Sequence, residues 1–106
     1  MEEITAIQLK AKIDAGEDLQ LIDVRQPAEF AFAKIEGSKL IPLSDIISRM
    51  GELDPNRDAI ISCKVGGRSA SAINALRYAG YSGNLYNLRG GITAWSNDVD
   101  PKVPKY

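Results

Sequence analysis

The stretch Ser62-Cys63-Lys64-Val65-Gly66-Gly67-Arg68-Ser69 determines the predicted fold. It follows the run Ala-Ile-Ile-Ser at residues 59–62 and leads into a helix-like pattern over residues 69–79. A short apolar run, a glycine pair and a helical pattern predict a strand, a tight loop and a helix. Backbone N–H groups in such a loop can turn inward, and the next helix adds partial positive charge at its N-terminus. The order therefore predicts a loop that holds an anion.

Cys63 is the only cysteine of the chain, and its neighbours favour a reactive thiol. A lone cysteine with ordinary neighbours is more often a small buried hydrophobic residue. Here Lys64 and Arg68 add positive charge near the sulfur, and Gly66 and Gly67 suit a loop around a ligand better than a packed core. Because cations and inward N–H groups stabilise a thiolate, we expect Cys63 to ionise readily.

Length and composition predict one globular domain over residues 1–106. The chain is 44% hydrophobic and 25% charged, as in ordinary soluble domains, and its net charge of -1 does not indicate a nucleic-acid-binding surface. No apolar run reaches the length of a membrane span, and the acidic start Met1-Glu2-Glu3 does not resemble a secretory signal. We therefore expect a cytoplasmic protein without a nucleic-acid or membrane partner.

The absence of histidine restricts the chemistry open to this chain. It excludes Cys-His dyads, Ser-His-Asp triads and zinc sites built on imidazole. A single cysteine also excludes a redox cycle between two thiols of the chain. We therefore expect no metal and no cofactor, and we expect backbone dipoles, lysine or arginine to activate Cys63.

The remaining pattern alternates strands and helices, which predicts an α/β fold with a small parallel sheet and helices on both faces. The predicted strands are residues 19–24, 39–41, 59–62 and 85–88. A first helix is predicted between a capping box of Thr5 and Gln8 and a stop at Gly16. Further helices are predicted at residues 28–33 with Phe30 buried, 44–50, 69–79, and 92–97 with Trp95 in the core.

Asp23 and Arg25 stand at the end of the predicted strand 19–24. The carboxyl ends of parallel strands are where open α/β sheets place functional side chains, so we expect both residues at the same edge as Cys63. Two interpretations are open, a direct part in the chemistry and a salt bridge that fixes the loops. We favour the salt bridge.

Four motifs, in order along the chain, resemble the rhodanese family. They are residues 21–25 (LIDVR) with Glu29-Phe30, residues 35–38 (IEGS), residues 63–69 (CKVGGRS), and residues 87–92 (NLRGGI) with Trp95. The resemblance covers nearly the whole chain. It implies the rhodanese fold and transfer of sulfane sulfur through a cysteine persulfide, with Cys63 as the sulfur carrier and with Asp23 and Arg25 as support for the loop. The implied binding loop consists of Lys64, Val65, Gly66, Gly67, Arg68 and Ser69.

The ending of the chain is similar to rhodanese domains fused to adenylyltransferases that activate ubiquitin-like sulfur carrier proteins in molybdopterin or thiamine synthesis. The residues concerned are 90–95 (GGITAW) and the tail 100–106 (DPKVPKY). The implied partners are thiosulfate or a persulfide-bearing protein as the donor, and a sulfur carrier protein or its adenylyltransferase. Tyr106 either packs on the domain or meets a partner. Lys34 stands where many members have histidine, and the apolar Val65 argues against rapid turnover of thiosulfate.

Three functions are compatible with the loop. In a thiosulfate sulfurtransferase, the Cys63 thiolate attacks a sulfane donor, and Lys64 and Arg68 hold the departing sulfite or thiolate. A cysteine-dependent phosphatase is the second, but those enzymes have one residue more between cysteine and arginine than the four found here. The third is a non-catalytic interaction or regulatory domain, against which the intact loop argues.

Overall fold

Five parallel strands form the centre of the structure, a computed structural model that describes residues 1–106. The strands are β1 (Glu3–Ile4), β2 (Leu19–Asp23), β3 (Lys39–Leu40), β4 (Asp58–Ser62) and β5 (Leu85–Leu88). They lie in the order β1-β5-β4-β2-β3, and every neighbouring pair is parallel. The predicted parallel sheet is therefore confirmed, with β4 at its centre.

The structure has four helices, and they are α1 (Ala6–Asp14), α2 (Pro27–Phe32), α3 (Gly67–Tyr78) and α4 (Gly91–Asp98). The first three connect successive strands, and α4 follows the last strand. The predicted capping box is present, since Thr5 Oγ1 accepts from the Gln8 N–H at 3.1 Å and Gln8 Oε1 accepts from the Thr5 N–H at 2.9 Å. None of the helices combines the length and the apolar composition that crossing a membrane requires.

Both faces of the sheet are buried, as the alternation along β4 shows. Ala59 and Ile61 belong to one apolar cluster with the α3 residues Ala72 and Leu76, whereas Ile60 belongs to a second cluster. Successive strand side chains point to opposite faces, so one strand contributes to both cores. The second cluster includes residues of α1 and α4, namely Ala6, Leu9, Ile92 and Trp95. The predicted core position of Trp95 is confirmed.

The helix predicted over residues 44–50 is wrong. Two single 3-10 turns, Leu43–Asp45 and Met50–Glu52, occupy this region instead. The six-residue helix α2 has Pro27 at its first position and a capping box of Gln26 and Glu29, whereas neither 3-10 turn has a side-chain cap that would favour a regular helix. The Ser48 hydroxyl also bonds to the Asp45 carbonyl at 3.0 Å, a local contact of the kind that competes with regular helix.

Two smaller differences from the predictions concern the helix α2 and the strand β1 at one edge of the sheet. Phe30 is half-buried rather than buried, because the short helix α2 lies at the surface and has no buried residue. The strand β1 has only two residues and was not predicted, since so short an edge strand has no recognisable alternation.

The parallel arrangement brings the carboxyl ends of the strands to one edge of the sheet. Asp23 at the end of β2 is paired in register with Ser62 at the end of β4. β5 runs parallel beside β4, so its own end at Leu88 meets the same edge. The loop that begins at Cys63 therefore lies between the connections that follow β2 and β5.

Replacing Leu76 by alanine should lower the free energy of unfolding by about 3 kcal/mol. Its side chain is fully buried between α3 and the sheet, and truncation leaves a cavity. Tyr78→Ala in the same helix is the control, because Tyr78 is 96% exposed, and its effect should stay within about 0.5 kcal/mol. Urea unfolding measures both variants, and equal losses would contradict this core assignment.

Candidate functional site

Cys63 lies at the base of a loop that joins β4 to α3. Its side chain is 1% exposed, and its sulfur accepts the Gly66 N–H at 3.0 Å and lies 3.3 Å from Ser69 Oγ. Gly66 has a φ of +118°, in the left-handed region that glycine adopts without strain. The predicted order of strand, tight loop and helix is confirmed, with α3 beginning at Gly67.

The first turn of α4 orients the peptide groups of this loop. The carbonyl of Cys63 accepts the Ile92 N–H at 2.9 Å, and the carbonyl of Lys64 accepts the Thr93 N–H at 3.1 Å. In a trans peptide, the C=O and the following N–H point in opposite directions. The N–H groups of Lys64 and Val65 therefore point away from α4 and toward the interior of the loop, where an anion can accept them.

This contact between α4 and the loop requires glycine at position 91. Gly91 has a φ of +56°, and a Cβ there would overlap the carbonyl oxygens of both Cys63 and Lys64. From the sequence, Gly91 was placed only within the motif of residues 87–92. Its close approach to the loop involves Cys63 and Lys64, which are far away along the chain.

A buried polar network lies behind the sulfur. The Ser69 hydroxyl lies 2.6 Å from Asn87 Oδ1, and Asn87 Nδ2 donates to the Gly66 carbonyl at 3.1 Å. Asn87 lies on β5 and is 5% exposed. Sequence reasoning assigned no function to Asn87, although a polar residue within the apolar strand residues 85–88 was an available signal.

The environment of Cys63 favours the thiolate. Burial of the sulfur raises the pKa of Cys63, but hydrogen bonds from the Ser69 hydroxyl and from the N–H groups of Ser69, Gly66 and Val65 outweigh it, so the pKa lies below its ordinary value. This direction agrees with the sequence-based expectation. The groups mainly responsible are hydrogen-bond donors of the loop.

The two cations next to the loop have partners of their own. Arg68 donates to both carboxylate oxygens of Glu29, at 2.6 and 2.9 Å, and this pairing lowers the pKa of Glu29 to about 2. The Lys64 ammonium lies 4.5 Å from the centre of the Tyr106 ring and forms no salt bridge. Arg68 is thus neutralised by a carboxylate, whereas Lys64 retains an uncompensated charge.

Asp23 and Arg25 form a buried ion pair at the end of β2. Their side chains are 3% and 0% exposed, and Arg25 Nη2 lies 2.7 Å from Asp23 Oδ2. Arg25 also donates to the carbonyl of Ala33, which follows α2, and to the Tyr106 hydroxyl at 2.8 Å. The pair is the salt bridge favoured from the sequence, and it ties β2, α2 and the tail together without a hydrogen bond to Cys63.

The tail packs on the domain beside the loop. The Tyr106 hydroxyl donates to Glu29 Oε2 at 2.7 Å, and its ring meets the Phe32 ring edge to face at a centroid distance of 6.0 Å. Tyr106, Phe32 and Val65 nevertheless remain 42%, 56% and 61% exposed. We call Phe32, Lys64, Val65 and Tyr106 the entrance patch.

Lys34, which was singled out from the sequence, lies outside the loop. It is exposed, and its ammonium lies 5.2 Å from the centre of the Phe30 ring. Its charge is therefore available at the surface next to α2.

Gly91→Ala should lower the free energy of unfolding by about 3 kcal/mol, because the added Cβ overlaps backbone that cannot move independently. It should also raise the pKa of Cys63, since the loop N–H groups lose their inward orientation. Gly51→Ala is the control, because Gly51 has open space around it and no positive φ. Urea unfolding and thiolate absorbance against pH measure both effects. Identical behaviour of the two variants would contradict the role given to α4.

Arg25→Met should lower the free energy of unfolding by about 4 kcal/mol, because it leaves the Asp23 carboxylate buried without a cation. Arg89→Met is the matched control. Arg89 pairs with Glu3 at the surface, with side chains 64% and 40% exposed, so its loss should cost less than about 1 kcal/mol. Both are measured by urea unfolding, and a cost for Arg25→Met as small as that of the control would refute the structural role of the buried pair.

Comparison with known proteins identifies relatives over almost the whole chain. It is 42% identical over 105 residues to a probable adenylyltransferase/sulfurtransferase, MoeZ of Mycobacterium tuberculosis, a match that covers 97% of this chain and 26% of that protein. It is 40% identical over 103 residues to a sulfurtransferase of Allochromatium vinosum, covering 97% and 95%. The chain thus spans about a quarter of the first relative and nearly all of the second. Both names support a sulfurtransferase role of the rhodanese class.

The fold agrees with solved structures as well. The crystal structure of a rhodanese-like domain protein from Staphylococcus aureus superimposes with a TM-score of 0.85 at 30% identity, covering 100% of this chain and 99% of that one. The family model of the rhodanese-like domain matches residues 5–98. The resemblance seen in the sequence is therefore confirmed, and the chain belongs to the rhodanese-like domain family.

Proposed function

We propose that this chain, as a single domain, transfers sulfane sulfur by carrying it as a persulfide on Cys63. The observation that carries the proposal is the donor-lined loop around the sulfur, with the Gly66 N–H at 3.0 Å, the Ser69 hydroxyl at 3.3 Å, and the inward N–H groups of Lys64 and Val65. A persulfide is an anion at neutral pH, and fixed N–H donors stabilise such an anion as an oxyanion hole stabilises oxygen.

The reaction needs no oxidant and no general base. The Cys63 thiolate attacks the outer sulfur of thiosulfate, the new sulfur–sulfur bond forms, and the donor's sulfur–sulfur bond breaks with its electron pair leaving on sulfite. The negative charge then resides on the outer sulfur within the loop. A nucleophilic acceptor attacks that sulfur next, and Cys63 departs as the thiolate.

Lys64 is the cation best placed to hold the departing anion. Arg68 is paired with Glu29, whereas Lys64 contacts only an aromatic ring and no carboxylate. A cation–π contact is weaker than a bidentate ion pair, so the ammonium can turn from Tyr106 toward sulfite at little cost. Arg68, with Glu29, contributes mainly to the wall of the site.

The entrance patch favours a protein as the physiological partner. Phe32, Val65 and Tyr106 expose apolar surface next to the sulfur, and Lys64 adds positive charge. Surfaces of this kind mark sites of protein contact more often than sites for a small anion alone. We infer that a persulfide-bearing protein can replace thiosulfate as the donor. The acceptor proposed is a ubiquitin-like sulfur carrier protein or its adenylyltransferase, and the transfer is proposed to take place in the cytoplasm. The combined name of the MoeZ relative, adenylyltransferase/sulfurtransferase, supports a link to an adenylyltransferase.

Intact-protein mass spectrometry before and after incubation with thiosulfate tests the proposal. The reduced protein should gain the mass of one sulfur atom, and cyanide should remove it. Cys63→Ser should gain nothing while remaining folded. The double variant Cys63→Ser with Ser71→Cys is the matched control, since it keeps one thiol on the exposed face of α3 but outside the loop, and it should also gain nothing.

The other outcomes discriminate between the alternatives. Gain of sulfur only from a persulfide-bearing protein would make that protein the donor. No gain from either donor would overturn the proposal in favour of a non-catalytic interaction domain. Hydrolysis of an aryl phosphate that depends on Cys63 would instead establish a phosphatase.

A further inference from the structure

The hydroxyl of Ser69 faces more acceptors than it has protons. Its Oγ lies 2.6 Å from Asn87 Oδ1, 3.1 Å from the Gly66 carbonyl and 3.3 Å from the Cys63 sulfur. A hydroxyl donates one hydrogen bond at a time. The shortest of the three distances is the one to Asn87, so the amide oxygen is the strongest competitor of the sulfur for the proton of Ser69.

The amide of Asn87 is held in the orientation that makes it an acceptor for Ser69. Its Nδ2 donates to the Gly66 carbonyl at 3.1 Å, and an inverted amide would place two oxygens against each other there. Asn87 is 5% exposed and Ser69 is fully buried, so water does not easily replace either partner. Ser69 is also the only group that donates to Asn87 Oδ1.

The protonation state of the sulfur determines which hydrogen bonds of this network can form at the same time. As a thiol, Cys63 donates its S–H to Ser69, which donates onward to Asn87, and every group is satisfied. As a thiolate or the inner sulfur of a persulfide, Cys63 only accepts. The Ser69 hydroxyl must then turn to the sulfur and leave the Asn87 oxygen buried without a donor, or stay and present its lone pairs to an anion.

We propose that Asn87 is a positioning residue that competes with the Cys63 sulfur for the single proton of Ser69, and thereby restrains the sulfur from becoming an anion. The role rests on the proposed function only because the anion is the attacking species there. The charged groups at this edge lie in the loop, on α3, on or next to α2 and β2, and on or next to β1 and β5. They are Lys64, Arg68, Glu29, Asp23, Arg25, Glu3 and Arg89, and only Lys64 lacks a partner of opposite charge.

Asn87→Leu tests the proposal, because leucine approximates the shape of asparagine and offers no acceptor. The freed Ser69 proton should serve the sulfur, so the pKa of Cys63 should fall by about one unit, a tenfold gain in thiolate at a fixed pH below the pKa. Ser69→Ala should raise that pKa, since it removes a donor. In the Ser69→Ala background, Asn87→Leu should cause no further fall. Thiolate absorbance against pH measures all four proteins without any sulfur donor.

Asn87→Ala keeps the test decisive if leucine does not fit the strand, and circular dichroism establishes that each variant is folded. Asn87→Asp should raise the pKa of Cys63, because a carboxylate holds the hydroxyl proton more tightly and adds negative charge near the sulfur.

If Asn87 only stabilises the loop, its removal should raise the pKa of Cys63 with or without Ser69, and that result would overturn the proposal. A fall as expected in Asn87→Leu, together with no sulfur gain by the unaltered protein from either thiosulfate or a persulfide-bearing protein, would reject the proposed function and leave the positioning role standing.

Discussion

Two hydrogen bonds between the first turn of α4 and the carbonyls of Cys63 and Lys64 are the constraint on which the site depends. The first N–H groups of any helix lack partners within the helix, and here the loop supplies acceptors for two of them. The same bonds turn the following N–H groups of the loop toward the sulfur. Because the approach is too close for a Cβ, Gly91 is as necessary to the loop as the glycines within it.

The electrostatics of the site come mainly from fixed backbone groups. Glu29 binds Arg68 in a bidentate pair, and the buried pair of Asp23 and Arg25 is neutral as a unit. Neither arginine therefore adds a free positive charge at the sulfur. The N–H groups of the loop have the advantage that they are already oriented, so they stabilise an anion without the cost of ordering a long side chain. Lys64 remains as the unpaired positive charge at the entrance.

The strand, loop and helix around Cys63 were predictable because each has a strong local signal, namely an apolar run, a glycine pair and a helical pattern. Weak local signals gave the errors. Residues 44–50 have helical spacing but form 3-10 turns without side-chain caps, and Phe30 lies on a surface helix that has no buried residue. Asn87 was missed as a site residue because its importance lies in its contacts with Ser69 and Gly66, about twenty positions away.

The sequence by itself determined the parallel α/β fold, the family, and the position of the lone cysteine in a glycine loop between a strand and a helix, because these follow from periodicity and from motifs contiguous in the chain. Only the tertiary structure decided which groups surround the sulfur and which neutralise the cations. Glu29, Asn87, Gly91 and Tyr106 come from four separate segments, and they meet only where the parallel strands end. The direction of a peptide group or the partner of a buried hydroxyl depends on such distant contacts, which no local pattern encodes.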